Sequence, residues 1–170
     1  MAELYNIDKL MVEARRLASE YRKATGKSLS VSGEIARHDV ARLMDLDLVA
    51  EPQAGYDAVG RNDRAGVRIQ IKGRAIFDES KSGQRIGQLR IDQQWDRVML
   101  LIMDDNYEPL EIYEAKRQDI VQEYGNDANS SRKKRGAMSV AKFKAIGRMV
   151  WHASEGVVQD APPDEQQLTE

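Results

Sequence analysis

The sequence predicts an α/β protein, with a mixed sheet of about four or more strands flanked by helices. Three observations carry that expectation. The chain has 170 residues, 41% of them hydrophobic and 32% charged, which suits a single domain with one sizeable core. Its apolar periodicity is helical near both ends and alternates by two in the middle. The longest apolar run, Val98 to Met103, has the length of a core strand and falls far short of the roughly 20 residues that span a bilayer. Residues 1–154 read as one domain and residues 155–170 as an acidic tail without enough apolar surface to fold.

In chain order, residues 6–25 place Ile7, Leu10, Met11, Ala14, Leu17, Ala18 and Tyr21 at three-and-four spacing, a helical stripe that Gly26 stops. A second helix follows, with Ser32 as N-cap, Glu34 in the first turn and a stripe of Ile35, Ala36, Val40, Leu43 and Met44. Residues 56–59 and 67–75 read as strands joined into a hairpin by the turn-rich GRNDRAG. Residues 78–88 are polar and glycine-punctuated, a loop or lid. Strands are expected at 97–103 and near 110–113, then a helix from 114 to 124 and a basic loop. A final helix, capped by Ser139, is expected to run to Trp151 with Val140, Phe143, Ile146 and Val150 as its core face.

Composition removes several functions. With no cysteine there are no disulfides and no thiolate chemistry, and zinc loses its commonest ligand. The first sixteen residues lack the basic-then-apolar order of a secretory signal, so a cytoplasmic protein without membrane attachment is expected. The net charge is −2, but the five acids of residues 155–170 stand without any Lys or Arg. The body keeps 26 basic and 23 acidic residues, a surplus of three, which permits a nucleic-acid partner.

The stretch GVRIQIKGR carries the chemistry. Val67, Ile69 and Ile71 point one way and Arg68, Gln70 and Lys72 the other. In a hairpin, Asp57 at its start stands beside Gln70, which offers one ion a carboxylate and an amide oxygen. Two hard oxygens suit Mg2+ (or Mn2+) better than zinc or copper. A lysine ammonium nearby can orient or deprotonate a water, or steady charge developing on phosphate oxygens. These are the parts that phosphodiester hydrolysis requires.

Asp57, a turn, and then Gln70-Ile71-Lys72 on an alternating strand resemble the PD-(D/E)xK, or restriction-endonuclease-like, nuclease superfamily, in branches with glutamine at the last acidic position. The segments GQRIG, WDRVMLLIMD and MSVAKFKAIGRMVW are similar to those of small bacterial proteins placed there without an assigned role, and the resemblance spans residues 10–151. It implies a restriction-endonuclease-like fold, a metal-dependent nuclease activity, DNA rather than RNA as substrate, and room for a homodimer. It also implies that Glu34, on the N-terminal helix of that fold, joins Asp57 and Gln70 at the metal. An acid in a first helical turn is equally explained by the helix dipole. The neutral Gln70 removes one ligand charge, so one metal is expected rather than two.

Further basic and amide groups are candidates for phosphate contacts: Lys81, Gln84 and Arg85 in the loop after the motif, and Arg132, Lys133, Lys134 and Arg135 before the last helix. Each group is also what a solvated loop carries. Two functions stay open. One is a nuclease using Asp57, Gln70 and Lys72. The other is a catalytically inactive nuclease-like domain that binds nucleic acid or protein.

Overall fold

The computed structural model describes residues 6–50, 55–78, 80, 83–89, 91–125 and 138–159. Its elements are α1 (Ile7–Thr25), α2 (Ser32–Leu43), β1 (Leu46–Leu48), β2 (Ala58–Gly60), a 3-10 turn at Asn62–Arg64, β3 (Arg68–Ala75), β4 (Arg97–Met103), β5 (Pro109–Lys116), α3 (Arg117–Gly125), α4 (Val140–Ile146), β6 (Arg148–His152) and β7 (Gly156–Val157). The seven strands form one sheet in sequence order. Every neighbouring pair is antiparallel except β3 and β4, which run parallel from Ile69 opposite Arg97 to Ala75 opposite Met103. The expected mixed α/β sheet is thus present. Among the described residues no helix is long and apolar enough to cross a membrane.

Each face of the sheet carries its own core. Ile69, Ile71, Met99, Leu101, Met103, Ile112 and Val150 pack with Ile35, Ala36 and Val40 of α2 and Ala18 of α1. Val98, Leu100, Ile102 and Ala115 pack on the other face with Ile86, Leu89, Trp95, Ile120 and Phe143. β4 is buried on both sides, which explains why it reads as an unbroken apolar run and not as an alternating strand. Helix α2 sits close on β3 because residue 73 is glycine: a Cβ there would lie 2.3 Å from the Cβ of Ala36.

Helix α1 follows its predicted bounds. Asn6 caps it by accepting from the Asp8 N–H at 2.9 Å, and Gly26 ends it in the left-handed region at φ 70°. Its apolar stripe, however, mostly faces outward: Ile7, Leu10, Leu17 and Tyr21 are exposed. The side toward the body is held by polar contacts instead. Arg15 pairs with buried Asp39 and donates to the Tyr107 carbonyl at 2.8 Å, and Ser19 bonds Asn106 at 2.9 Å. Periodicity finds a helix's stripe but not which surface the stripe meets.

Four other expectations change. Val31, not Ser32, is the cap of α2, and it makes no side-chain capping bond, because the helix already starts at Ser32. β5 extends through Lys116, since Glu114 and Ala115 pair with Met99 and Val98; α3 therefore begins only at Arg117. The expected last helix is a helix and a strand. Gly147 breaks it, where a Cβ would meet the Glu114 carbonyl oxygen at 2.8 Å, and residues 148–152 then pair with β5. The stripe read from one helical wheel splits accordingly, Phe143 to one core and Val150 to the other. Finally, the segment read as tail begins with β7, which pairs with Trp151 and His152. Residues 160–170 lie outside the described residues.

Between β3 and β4 the chain crosses over without a helix among the described residues. Ile86, Leu89 and Trp95 cover the sheet there, and the loop is pinned by Ile86 N–H to the Met138 carbonyl at 3.0 Å and Val140 N–H to the Gln84 carbonyl at 2.8 Å. Gly73→Ala is expected to cost about 1–3 kcal/mol, because neither the strand nor α2 can retreat far. Urea unfolding of the variant beside the wild type measures it, and an unchanged midpoint would contradict the close approach.

Candidate active site at the fork between β2 and β3

β2 is short, so β3 loses its antiparallel neighbour after its second residue. The last ladder pair is Ala58 with Ile69, and one step further Asp57 stands beside Gln70. The Asp57 N–H donates to the Ile69 carbonyl at 2.8 Å, and its Oδ2 then accepts the Ile71 N–H at 2.7 Å. The carboxylate thereby does for Ile71 what a strand carbonyl would have done. This bond fixes Asp57 at the opening of the fork.

Arg37 reaches the same place from α2. Its Nε lies 3.8 Å from Asp57 Oδ1, its Nη2 donates to the Val49 carbonyl at 2.5 Å, and its Nη1 is 4.0 Å from Glu34 Oε2. The sequence reading missed Arg37. Only its spacing of three from Glu34 hinted at it, and a wheel alone does not tell which charged side chain wraps round a sheet edge. Glu34 itself is mostly solvent-exposed and reaches Asp57 only through its field.

Gln70 and Lys72 share the face of Val98 and Leu100, their parallel partners in β4. That face is covered: Gln70 is 7% exposed, and its Oε1 is buried with no hydrogen-bond partner among the described residues. Lys72 is half-buried, and its ammonium ends near the loop backbone, 3.7 Å from where a Cβ on Gly87 would stand. The backbone at Gly87, in the loop after the motif, thus lies close to the Lys72 ammonium. Burial pushes the Lys72 ammonium below its ordinary value, against the pull of Asp57. Burial also raises the Asp57 carboxyl, with Glu34 adding to it, while the Ile71 N–H, Arg37 and Lys72 oppose. The two groups feel each other's charge, and both have lost water.

The other candidates are spread out. Gln84 has a buried Oε1 without a hydrogen-bond partner, and Arg85 bridges through its backbone to Ser139. Lys81 and Arg132, Lys133, Lys134 and Arg135 lie outside the described residues. His38 faces α1, with Nε2 at 3.8 Å from Asp8. Among the described residues no three acidic or imidazole side chains gather into a metal-binding group. The oxygens offered at the fork are therefore those of Asp57 and Gln70. No family model and no curated protein matches the chain.

These shifts have a sign. Folding raises the Asp57 pKa, so its contribution to stability is full below the ordinary 3.8 and is lost as pH rises through the folded value. Folding lowers the Lys72 pKa, so its contribution to stability is full above the ordinary 10.5 and is lost as pH falls through the folded value. Asp57→Asn keeps an oxygen for the Ile71 N–H and removes the buried charge. Its melting temperature is expected to equal or exceed that of the wild type at neutral pH, the gap closing toward pH 3.8. A variant less stable at every pH would mean that the ionised form is structurally required.

Proposed function

We propose that the protein is a small metal-dependent nuclease that hydrolyses phosphodiester bonds, with DNA favoured as substrate by the resemblance of its motif. The observation that carries this reading is the orphaned Gln70 Oε1, buried in the fork beside a desolvated Asp57 and Lys72. An unpaired buried acceptor costs stability, and such a cost is commonly kept where a ligand will meet it. The donor set fits one hard cation: Asp57 Oδ1 and Gln70 Oε1 would hold Mg2+ or Mn2+, with Glu34 able to reach in from the rim. When bound, the ion would supply Lewis-acid polarisation of a phosphate oxygen. Lys72, whose proton is held more weakly because of burial, would as the neutral amine accept the proton of an attacking water, or as the ammonium face the negative oxygens of the transition state.

A second reading has its own support. The Arg37 guanidinium already stands 3.8 Å from Asp57 Oδ1, on the oxygen that a cation would need. A domain in which arginine has taken the place of the metal would bind nucleic acid without cutting it.

Incubation with plasmid and linear DNA in Mg2+ or Mn2+ tests the first reading. Cleavage is expected to fall about 100-fold or more in Asp57→Ala and in Lys72→Ala. Cleavage that survives both substitutions would point elsewhere. Gln70→Glu restores an acidic ligand: it is expected to lower the melting temperature without metal and to raise the response to added Mg2+ above that of the wild type. If calorimetry finds no Mg2+ binding even with DNA present, and Arg37→Ala creates such binding, the second reading holds.

A further inference from the structure

A cavity of about 680 Å3 opens where α1, the loop to α2, the first turn of α2 and the far end of β3 meet. That volume suits a ligand the size of a mononucleotide. Its chemistry is that of an anion site. Arg22 and Arg74 line it with the serines at 28, 30 and 32 and the backbone of Gly33. Helix α2 is twelve residues long and its cap, Val31, offers no side-chain acceptor. The first intrahelical bond is Ile35 N–H to the Val31 carbonyl, which leaves the N–H groups of Ser32, Gly33 and Glu34 without partners among the described residues. Free N–H groups and the positive end of the helix dipole converge there.

An independent feature points to a ligand. Tyr107 also lines the cavity; the residue is 1% exposed, yet its hydroxyl has no hydrogen-bond partner among the described residues. The ring packs edge-on against Phe77, with centroids 5.7 Å apart. Arg22 lies over the same Phe77 ring at 3.7 Å, and neither Arg22 nor Arg74 pairs with a carboxylate among the described residues. Asp78 is the one acid of the described lining, and its carboxylate accepts from the N–H and hydroxyl of Ser80.

We propose that this cavity binds a phosphate monoester, supplied either by a free mononucleotide or by the terminal phosphate of a nucleic-acid strand. The dianion would take the N–H groups at the start of α2 and the two guanidiniums, and the Tyr107 hydroxyl would donate to a phosphate oxygen. A diester within a strand, with one charge and two bulky substituents, matches the enclosed donors less well. This inference uses none of Asp57, Gln70 or Lys72, so it stands whether or not the chain cuts DNA.

Calorimetry on the full chain tests it with inorganic phosphate, a nucleoside 5′-monophosphate, the bare nucleoside, and a short oligonucleotide with and without a 5′-phosphate. The phosphate-bearing probes are expected to bind and their unphosphorylated counterparts to bind at least about tenfold more weakly. Arg74 is exposed, so Arg74→Ala should fold normally while weakening binding about tenfold. Tyr107→Phe keeps the ring and is expected to weaken binding severalfold at an unchanged or higher melting temperature. A mononucleotide that binds as well as the phosphorylated strand assigns the site to a small molecule, and a strand that binds more tightly assigns it to nucleic-acid ends. Equal binding of nucleoside and monophosphate, no binding of any phosphate probe, or an Arg74→Ala variant of full affinity overturns the proposal.

Discussion

Seven residues of β3 are hydrogen-bonded to β4 in parallel register, while only two pair with β2 on the opposite side. That imbalance makes the site. A strand anchored along one edge is rigid enough to leave its other edge unpaired, and the unpaired N–H of Ile71 is where Asp57 binds. Had β2 been two residues longer, the ladder would have closed and the carboxylate would have been pushed off the edge. β4 can hold β3 this firmly because apolar side chains bury both of its faces.

Two kinds of buried charge coexist in the molecule, and they differ in how completely they are answered. Glu114 is buried and meets Arg64 at 2.8 Å, Arg97 at 2.9 Å and Arg148 at 3.6 Å, so three arginines from three segments tie the turn before β3, the start of β4 and the start of β6 to β5. Such a cluster fixes geometry. At the fork the balance is incomplete. Among the described residues, Asp57 has one N–H and a guanidinium at a distance, Gln70 has nothing on its oxygen, and Lys72 has lost water without a close counter-ion. The first arrangement is fully paired and the second is left open.

Much of this was legible in the sequence, for reasons that can be named. The Gly26 stop of α1, the turn of the hairpin and the apolar run of β4 are local signals, and they located their elements to within a residue or two. Placing Asp57 beside Gln70 needed only hairpin register. What escaped the sequence depends on distant neighbours. The wheel over residues 139–151 is as good for a helix as for a helix followed by a strand, and the choice falls to β5, whose carbonyl at Glu114 leaves no space for a Cβ at Gly147. Arg37 was one arginine among several until the fold brought α2 against the sheet edge, and Gln70 looked solvated because strand alternation does not reveal a second core.

The outward-facing stripe of α1 has a bearing on the far end of that helix. Only Ala18 and Ser19 are buried in it, so α1 is fastened to the body by a few polar ties and the stacking of Arg22 on Phe77. Arg22 is at once a clasp and a wall of the cavity. Anything anionic lodged there would draw the clasp shut and make the helix harder to peel away. By thermodynamic reciprocity, a protein surface that gripped Ile7, Leu10 and Leu17 in the docked position would in turn sharpen the cavity's hold on its occupant.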